Sequence, residues 1–392
     1  MSSLRIHRYL LRETLVPMSL GLAVFTLVLL MGRMLKLVEL VINKGVPLTD
    51  ILLLFASLLP TFLVLTLPLA FLLGVMAGMG RLSSDCEILA LKAGGRSLYQ
   101  LTLPILTLGL VVSMATAALT TVIKPAGERN FRKQLFQIAS SRASIGIESQ
   151  IFNDEFEGLV LYANDVEERS GHMRGVFISD ERENSLPAMI LADRGSILSN
   201  QDALTMTLHL ENGTIHRQGG GSRSAFQVIE FTQYDLNLDL GQASGAANQP
   251  RKSHKNMSMP ELYQAIYVDS ASASPKDRDL LAEFHWRLAL PAAPLLFALL
   301  GVPLGIQPAR SGRGSGFAIG LLVFLGYYLL LSLAGTLIVE GNWSALIMWV
   351  PNLIFLIAGV VVLKAAALEK PLPLVDPCRR MTDKLIHRLR KH

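Results

Sequence analysis

The chain has 392 residues, 51% of them hydrophobic and only 17% charged, with a mean hydropathy of +0.41. Soluble domains carry roughly 25% charged residues, so an ordinary water-soluble fold is excluded for most of the length. The net charge of +5 comes without basic clusters interleaved with aromatics, which argues against nucleic acid as a partner. The only cysteines, Cys86 and Cys378, lie outside the polar middle of the chain, which excludes a disulfide-stapled module there.

In chain order, apolar runs lie at about 14–37, 51–80, 98–123, 286–307, 315–339 and 344–363. A helix of about 20 apolar residues is long enough to cross the hydrocarbon core. One such run is compatible with a buried core helix; six in two groups of three predict an integral membrane α-helical protein with six transmembrane helices. The first run is too long for a signal-peptide core, and no small-residue cleavage site follows it. The expected division is 1–123 (N-terminus and spans one to three), 124–285 (an inserted polar domain) and 286–392 (spans four to six and a basic tail).

Arg5, Arg8 and Arg12 make the opening segment basic. Arg81, Lys92 and Arg96 mark the link after span two, Arg310 and Arg313 the link after span four, and Arg379 to Lys391 the tail. With six spans these segments share one side, and the positive-inside rule assigns that side to the cytoplasm. Both termini are then cytoplasmic and residues 124–285 lie outside, in the periplasm where one exists.

Span one ends in Arg33, Lys36 and Glu39, three residues apart and therefore on one helical face. A charge at mid-membrane costs about 2.5–3.5 kcal/mol on insertion scales, so these side chains either snorkel to the interface or form a cationic shelf for a phosphorylated headgroup. Spans two, three and four contain Pro60, Pro68, Pro104, Pro291, Pro294 and Pro303, whose freed carbonyls neighbouring helices must satisfy.

The link 84–95 predicts a short helix. Ser84 with Glu87 has the spacing of a capping box, Gly94 and Gly95 end the helix, and Leu82, Ile88, Leu89 and Leu91 are its apolar contacts. It is either an interfacial connector or a docking helix for a cytoplasmic motor.

Beyond an exposed helix at 127–142, the polar domain reads as all-β. Leu204, Met206, Leu208 and Leu210 alternate with polar residues. Asn212-Gly213 signals a turn before 214–216. Segments 159–163, 175–179, 188–192, 196–198 and 226–238 read as further strands, and the glycines 219–221 as a loop. Short strands at this spacing predict a sandwich or jelly roll. Residues 241–256 read as a linker. Ser258 with Glu261 opens a helix by capping box, and Ser274-Pro275 opens another running into span four.

No phosphate loop of the G-x-x-x-x-G-K-[ST] type and no zinc spacing occurs. Almost no carboxylate sits mid-span, as proton-coupled carriers need. No catalytic residue, metal site or cofactor is expected, and the energy for any transport must be captured by another protein.

The opening Arg8-Tyr9-Leu10-Leu11-Arg12-Glu13-Thr14-Leu15, the Arg33/Lys36 pair, Ser84-Asp85-Cys86-Glu87-Ile88 with Ala93-Gly94-Gly95, and Glu283-Phe284-His285-Trp286-Arg287 resemble the lipopolysaccharide export permease family (LptF/LptG). The opening octet is closer to the F-type than the G-type. The resemblance covers essentially the whole chain. It implies a multi-pass inner-membrane subunit of an ATP-binding-cassette exporter that extracts lipopolysaccharide. A periplasmic jelly roll would lie between two triplets of spans, and spans one and five would line lateral gates. It implies a second, LptG-type permease, an LptB-type ATPase dimer that binds the ATP, an LptC-type single-span protein and an LptA-type periplasmic bridge. It assigns Arg33 and Lys36 to the lipid headgroup and Glu87 to ATPase coupling, with Ser84, Ile88 and Leu91 on the same helix. Two rivals are a mechanotransmission permease, usually with four spans, and a lipid-modifying membrane enzyme, for which no convergent acid–base or metal set can be assembled.

Overall fold

The computed structural model describes residues 3–44, 47–143, 149–156, 158–167, 172–181, 188–200, 205–218, 226–238, 257–267, 275–306, 315–341 and 343–369. The chain divides into two compact units, one of residues 1–45, 55–128 and 253–392, the other of 46–54 and 129–252.

The first unit holds the long apolar helices: α1 (Ser3–Lys44), most of α2 (Leu48–Ser84), the short α3 (Glu87–Ala93), α4 (Leu98–Ala118), the start of α5 (Lys124–Ala143), α6 (Met259–Tyr267), α7 (Pro275–Ala289), α8 (Ala293–Gly305), α9 (Ser315–Val339) and α10 (Val350–Ala367). Among the described residues, six helical stretches are long and apolar enough to cross a membrane, with α4 continuing into α5 and α7 into α8. The fourth is the core, with 78% of its apolar stretch buried; the first is the most peripheral, at 11%. Leu20, Leu27, Leu322 and Leu329 point outward, the surface lipid requires. Helix α1 approaches α2 closely: a Cβ on Gly74 would stand 2.6 Å from that of Met18, and one on Gly78 2.8 Å from the carbonyl oxygen of Glu13. Small residues allow such contact in hydrocarbon, and Thr26 and Thr66 add a hydrogen bond of 3.0 Å between the two helices.

The prolines explain the two irregular turns. Pro125 lacks the N–H that would bond the Thr121 carbonyl, and just before it residues Leu119–Ile123 form a π turn. Pro291 releases the carbonyl of Arg287 in the same way, at a 3-10 turn over Leu290–Ala292. The Thr120 hydroxyl donates to that carbonyl at 3.0 Å. The Asn352 amide donates to the Ala289 carbonyl at 3.0 Å, and Tyr327 donates to Asn352 Oδ1 at 2.8 Å. Freed polar groups of the fourth span are thus met by the third, fifth and sixth.

Among its described residues the second unit forms a six-stranded antiparallel sheet: β1 (Asn153–Phe156), β2 (Leu159–Val166), β3 (His172–Asp180), β4 (Ala188–Asn200), β5 (Thr205–Gln218) and β6 (Phe226–Leu238), paired in sequence order. An inserted β domain is as expected; its connectivity is a meander, each strand pairing with the next. Segments 188–192 and 196–198 are one strand. Asn212-Gly213 is not a turn: β5 runs through it, with Asn212 at φ 52°. Core-facing positions change parity at this level in every strand from β2 to β6. In β2 they run Leu159, Leu161, Ala163 and then Val166; in β5 they run Leu208, Leu210 and then Ile215. The change falls at one rung, Asn164, Gly175, Asp193, Asn212 and Thr232, flanked on both sides by regular pairs. Gly175 sits there at φ 60°, a conformation a side chain resists. The rung is a crease, and it keeps both halves of every strand facing the same apolar core, which Phe136 of α5 helps fill. The expected loop at 219–221 and linker at 241–256 lie outside the described residues.

Candidate functional site

Helix α3 is held by its own apolar side. Ile88 is 3% exposed within the span core and Leu91 packs partly buried against it, whereas Leu89 is 66% exposed. Of the apolar residues expected to make contacts, Ile88 and Leu91 anchor the helix and Leu89 is presented outward. The expected capping box at Ser84 is absent. Ser84 is the last residue of α2, and its hydroxyl donates back to the Arg81 carbonyl at 2.8 Å, a local bond that competes with capping. The chain reverses through Cys86 at φ 57°, which precedes Glu87 as the first residue of α3 and lends it no side-chain cap.

Charged neighbours fix the surroundings. The Tyr9 hydroxyl donates to Glu87 Oε1 at 3.0 Å. Arg81 reaches Glu13 at 3.0 Å and Asp85 at 3.7 Å. Lys92 pairs with Glu369 after α10 at 3.2 Å. The start of α1, the end of α2, α3 and the end of α10 therefore meet at one end of the bundle. Arg81 is 67% exposed, and pairs of this kind contribute at most about 1 kcal/mol; their role is to orient. The sequence did not reveal Tyr9, Glu13 and Glu369 as neighbours, because each contact joins segments far apart in the chain.

Arg33 and Lys36 lie on α1, but their side chains are outside the described part of the structure, so the headgroup shelf rests on sequence.

A second cluster lies around the start of the fourth span. Arg287 has a fully buried side chain; its Nε donates to Glu283 Oε1 at 2.8 Å and its Nη1 to the Met257 carbonyl at 2.6 Å. Lys124 lies 3.8 Å from the same Glu283 oxygen, 4.0 Å from Glu128, and 4.7 Å from the centre of the Trp286 ring. Glu283 and Arg287 were quoted above only for the family resemblance; their spacing of four is the signal that could have revealed a helical ion pair, whereas its burial and its grip on Met257 leave no local signal. Met257 precedes α6, whose capping box forms as expected: Ser258 N–H donates to Glu261 at 2.8 Å and Glu261 N–H to Ser258 at 3.4 Å. The buried ion cluster therefore ties the segment entering α6 to α7 and to α5. Among the described residues no three His, Cys, Asp or Glu side chains converge as a metal site would require.

Residues 8–365 match the family model described as lipopolysaccharide export system permease LptF/LptG. The lipopolysaccharide export system permease protein LptF of Escherichia coli strain K12 is 25% identical over 365 residues, covering 91% of this chain and 93% of that protein. The Shigella flexneri protein of the same name gives the same figures. An uncharacterized protein of Rickettsia prowazekii is 22% identical over 289 residues, covering 73% of this chain and 77% of its own length. The named relatives are of the F type, the type that the opening octet resembles. Six membrane-length helices, an inserted antiparallel β domain and a family match over nearly the whole length converge: this chain belongs to the lipopolysaccharide export permease family LptF/LptG.

Proposed function

We propose that the chain is the membrane-spanning subunit of an ATP-driven machine that lifts lipopolysaccharide out of the inner membrane. It would pair with a second, LptG-type permease. An LptB-type ATPase dimer would bind and hydrolyse the ATP, and LptC-type and LptA-type proteins would receive the lipid on the periplasmic side. Both termini are then cytoplasmic and the β domain periplasmic.

The observation that carries this reading is α3. It is locked to the span core through Ile88, yet presents Leu89 at 66% exposure beside a carboxylate at Glu87. A short helix rigidly joined to the spans and apolar on its outward side suits force transmission from a motor. Extraction exposes many methylenes, each worth about 0.8 kcal/mol, so work has to be delivered to the spans. Arg33 and Lys36 would hold the lipid phosphates by charge-assisted hydrogen bonds.

The test is Glu87→Ala in the complex. Loss of ATPase co-purification with normal membrane insertion is expected. Unchanged association and export would remove α3 from the coupling role. For the headgroup, Arg33→Glu should lower lipopolysaccharide crosslinking at α1.

A further inference from the structure

The sheet carries a groove that no step of the export reading uses. Tyr162, Phe177, Leu191, Thr214 and Glu230 are successive cross-strand partners from β2 to β6, so their side chains share one face. That face points away from the core, because the adjacent rung of Leu161, Ile178, Ile190 and Ile215 is at most 5% exposed. Beside it runs the crease, whose Asn164, Asp193 and Asn212 line the same depression. The groove has a volume of about 690 Å³, within the roughly 300–1,000 Å³ usual for small-molecule sites. Phe152, 63% exposed, sets its ring 4.9 Å from that of Tyr162 and extends the aromatic strip.

The chemistry of this lining is selective. It contains no lysine or arginine; the nearest cations by register are the paired Arg174 and Arg194, one rung beyond the crease. An acyl chain lying across it would bury Asp193, Glu230 and Asn212 without partners, which is costly. A pyranose fits both halves. Its C–H face packs on the electron-rich face of an aromatic ring, and its hydroxyls donate to carboxylates and accept from carboxamides. A bend alone would leave a depression here; it would not gather aromatic rings, carboxamides and carboxylates along the same two rungs. We propose that this outer groove is a glycan site for hexose or hexosamine units, distinct from any path that acyl chains take.

Binding is measured on the full-length chain in nanodiscs, without ATP or partner proteins, by saturation-transfer difference NMR. The probes are core oligosaccharide released from lipopolysaccharide by mild acid and, separately, chitotriose. Transfer to ring protons of either, with Kd on the order of millimolar, is expected. Binding of the core oligosaccharide alone assigns the groove to the sugars of the exported molecule; binding of chitotriose assigns it to a cell-wall type of glycan. Tyr162→Ala should weaken binding at least tenfold, and Tyr162→Phe should retain it. Leu191→Glu, at a position 46% exposed and clear of the core, should block the groove while amide protection of β2–β5 stays intact. No transfer from either probe, or transfer that persists in Leu191→Glu, overturns the proposal. Because the readout needs no motor, its failure leaves the export reading standing, and a failed Glu87→Ala test leaves the glycan site standing.

Discussion

Arg287→Met removes the centre of the buried ion cluster while keeping much of its volume. The guanidinium is fully buried and serves both Glu283 and the Met257 carbonyl. Breaking a buried ion pair from one side costs about 3–5 kcal/mol, and stranding a buried carbonyl about 1–3 kcal/mol. Lys124, 3.8 Å from Glu283, recovers part of the first loss. The net expectation is a destabilisation of about 3 kcal/mol, read by reversible unfolding in mixed micelles with tryptophan fluorescence. Glu283→Gln in the same background should restore part of it, since the unpaired charge is gone. Amide exchange over α6 should quicken in Arg287→Met, because the hydrogen bond to Met257 is lost, and much less in Glu283→Gln alone. A cost below about 1 kcal/mol, or strict additivity of the two substitutions, would refute the view that these groups act as one unit.

Further outcomes follow from other sites. Gly175→Ala forces a side chain into φ 60° with its Cβ 2.6 Å from Asn164 Nδ2; a loss of about 1–3 kcal/mol should appear as faster amide exchange in β2–β4, with the spans unchanged. Asn352→Leu removes both bonds of the amide that links Tyr327 to Ala289 and leaves only the longer, 3.5 Å contact between that hydroxyl and that carbonyl; about 1 kcal/mol is expected for such an interhelical bond, measured by the same micelle unfolding. Leu89→Asp should abolish ATPase co-purification at unchanged melting temperature, whereas Ile88→Asp, which buries a charge, should lower the melting temperature of the chain itself. Equal behaviour of those two variants would mean that α3 is oriented differently.

What the sequence made legible was whatever depends on local pattern. Six apolar runs of the right length gave six spans, and Ser258 with Glu261 gave its cap. The prolines announced that carbonyls would be freed; they could not say that Thr120 would answer Arg287 across 167 positions, because packing decides that. Asn212-Gly213 misled for a physical reason: a residue at positive φ serves a hairpin turn and a mid-strand kink equally well. Only the coincidence of Gly175, Asp193 and Asn212 on one rung separates the two, and that needs the strand register. On α3, Ile88, Leu89 and Leu91 are alike in hydrophobicity, so the sequence could not tell the two anchors from the residue left outside. The Ser84 signal failed because its hydroxyl had a nearer carbonyl to bond.

The peripheral seat of α1 carries a mechanical consequence. In hydrocarbon no water drives a helix against its neighbours; close packing and a few polar contacts do. Helix α1 rests on the flat strip made by Gly74 and Gly78 and on the Thr26–Thr66 bond, while the deep packing of α8 goes on beneath it. Along the apolar stretch, peeling it away would trade side-chain contacts for acyl chains of like polarity; at its start it would also break the Tyr9–Glu87 and Glu13–Arg81 contacts. Of the six apolar stretches among the described residues, this one is the least enclosed by the rest of the chain.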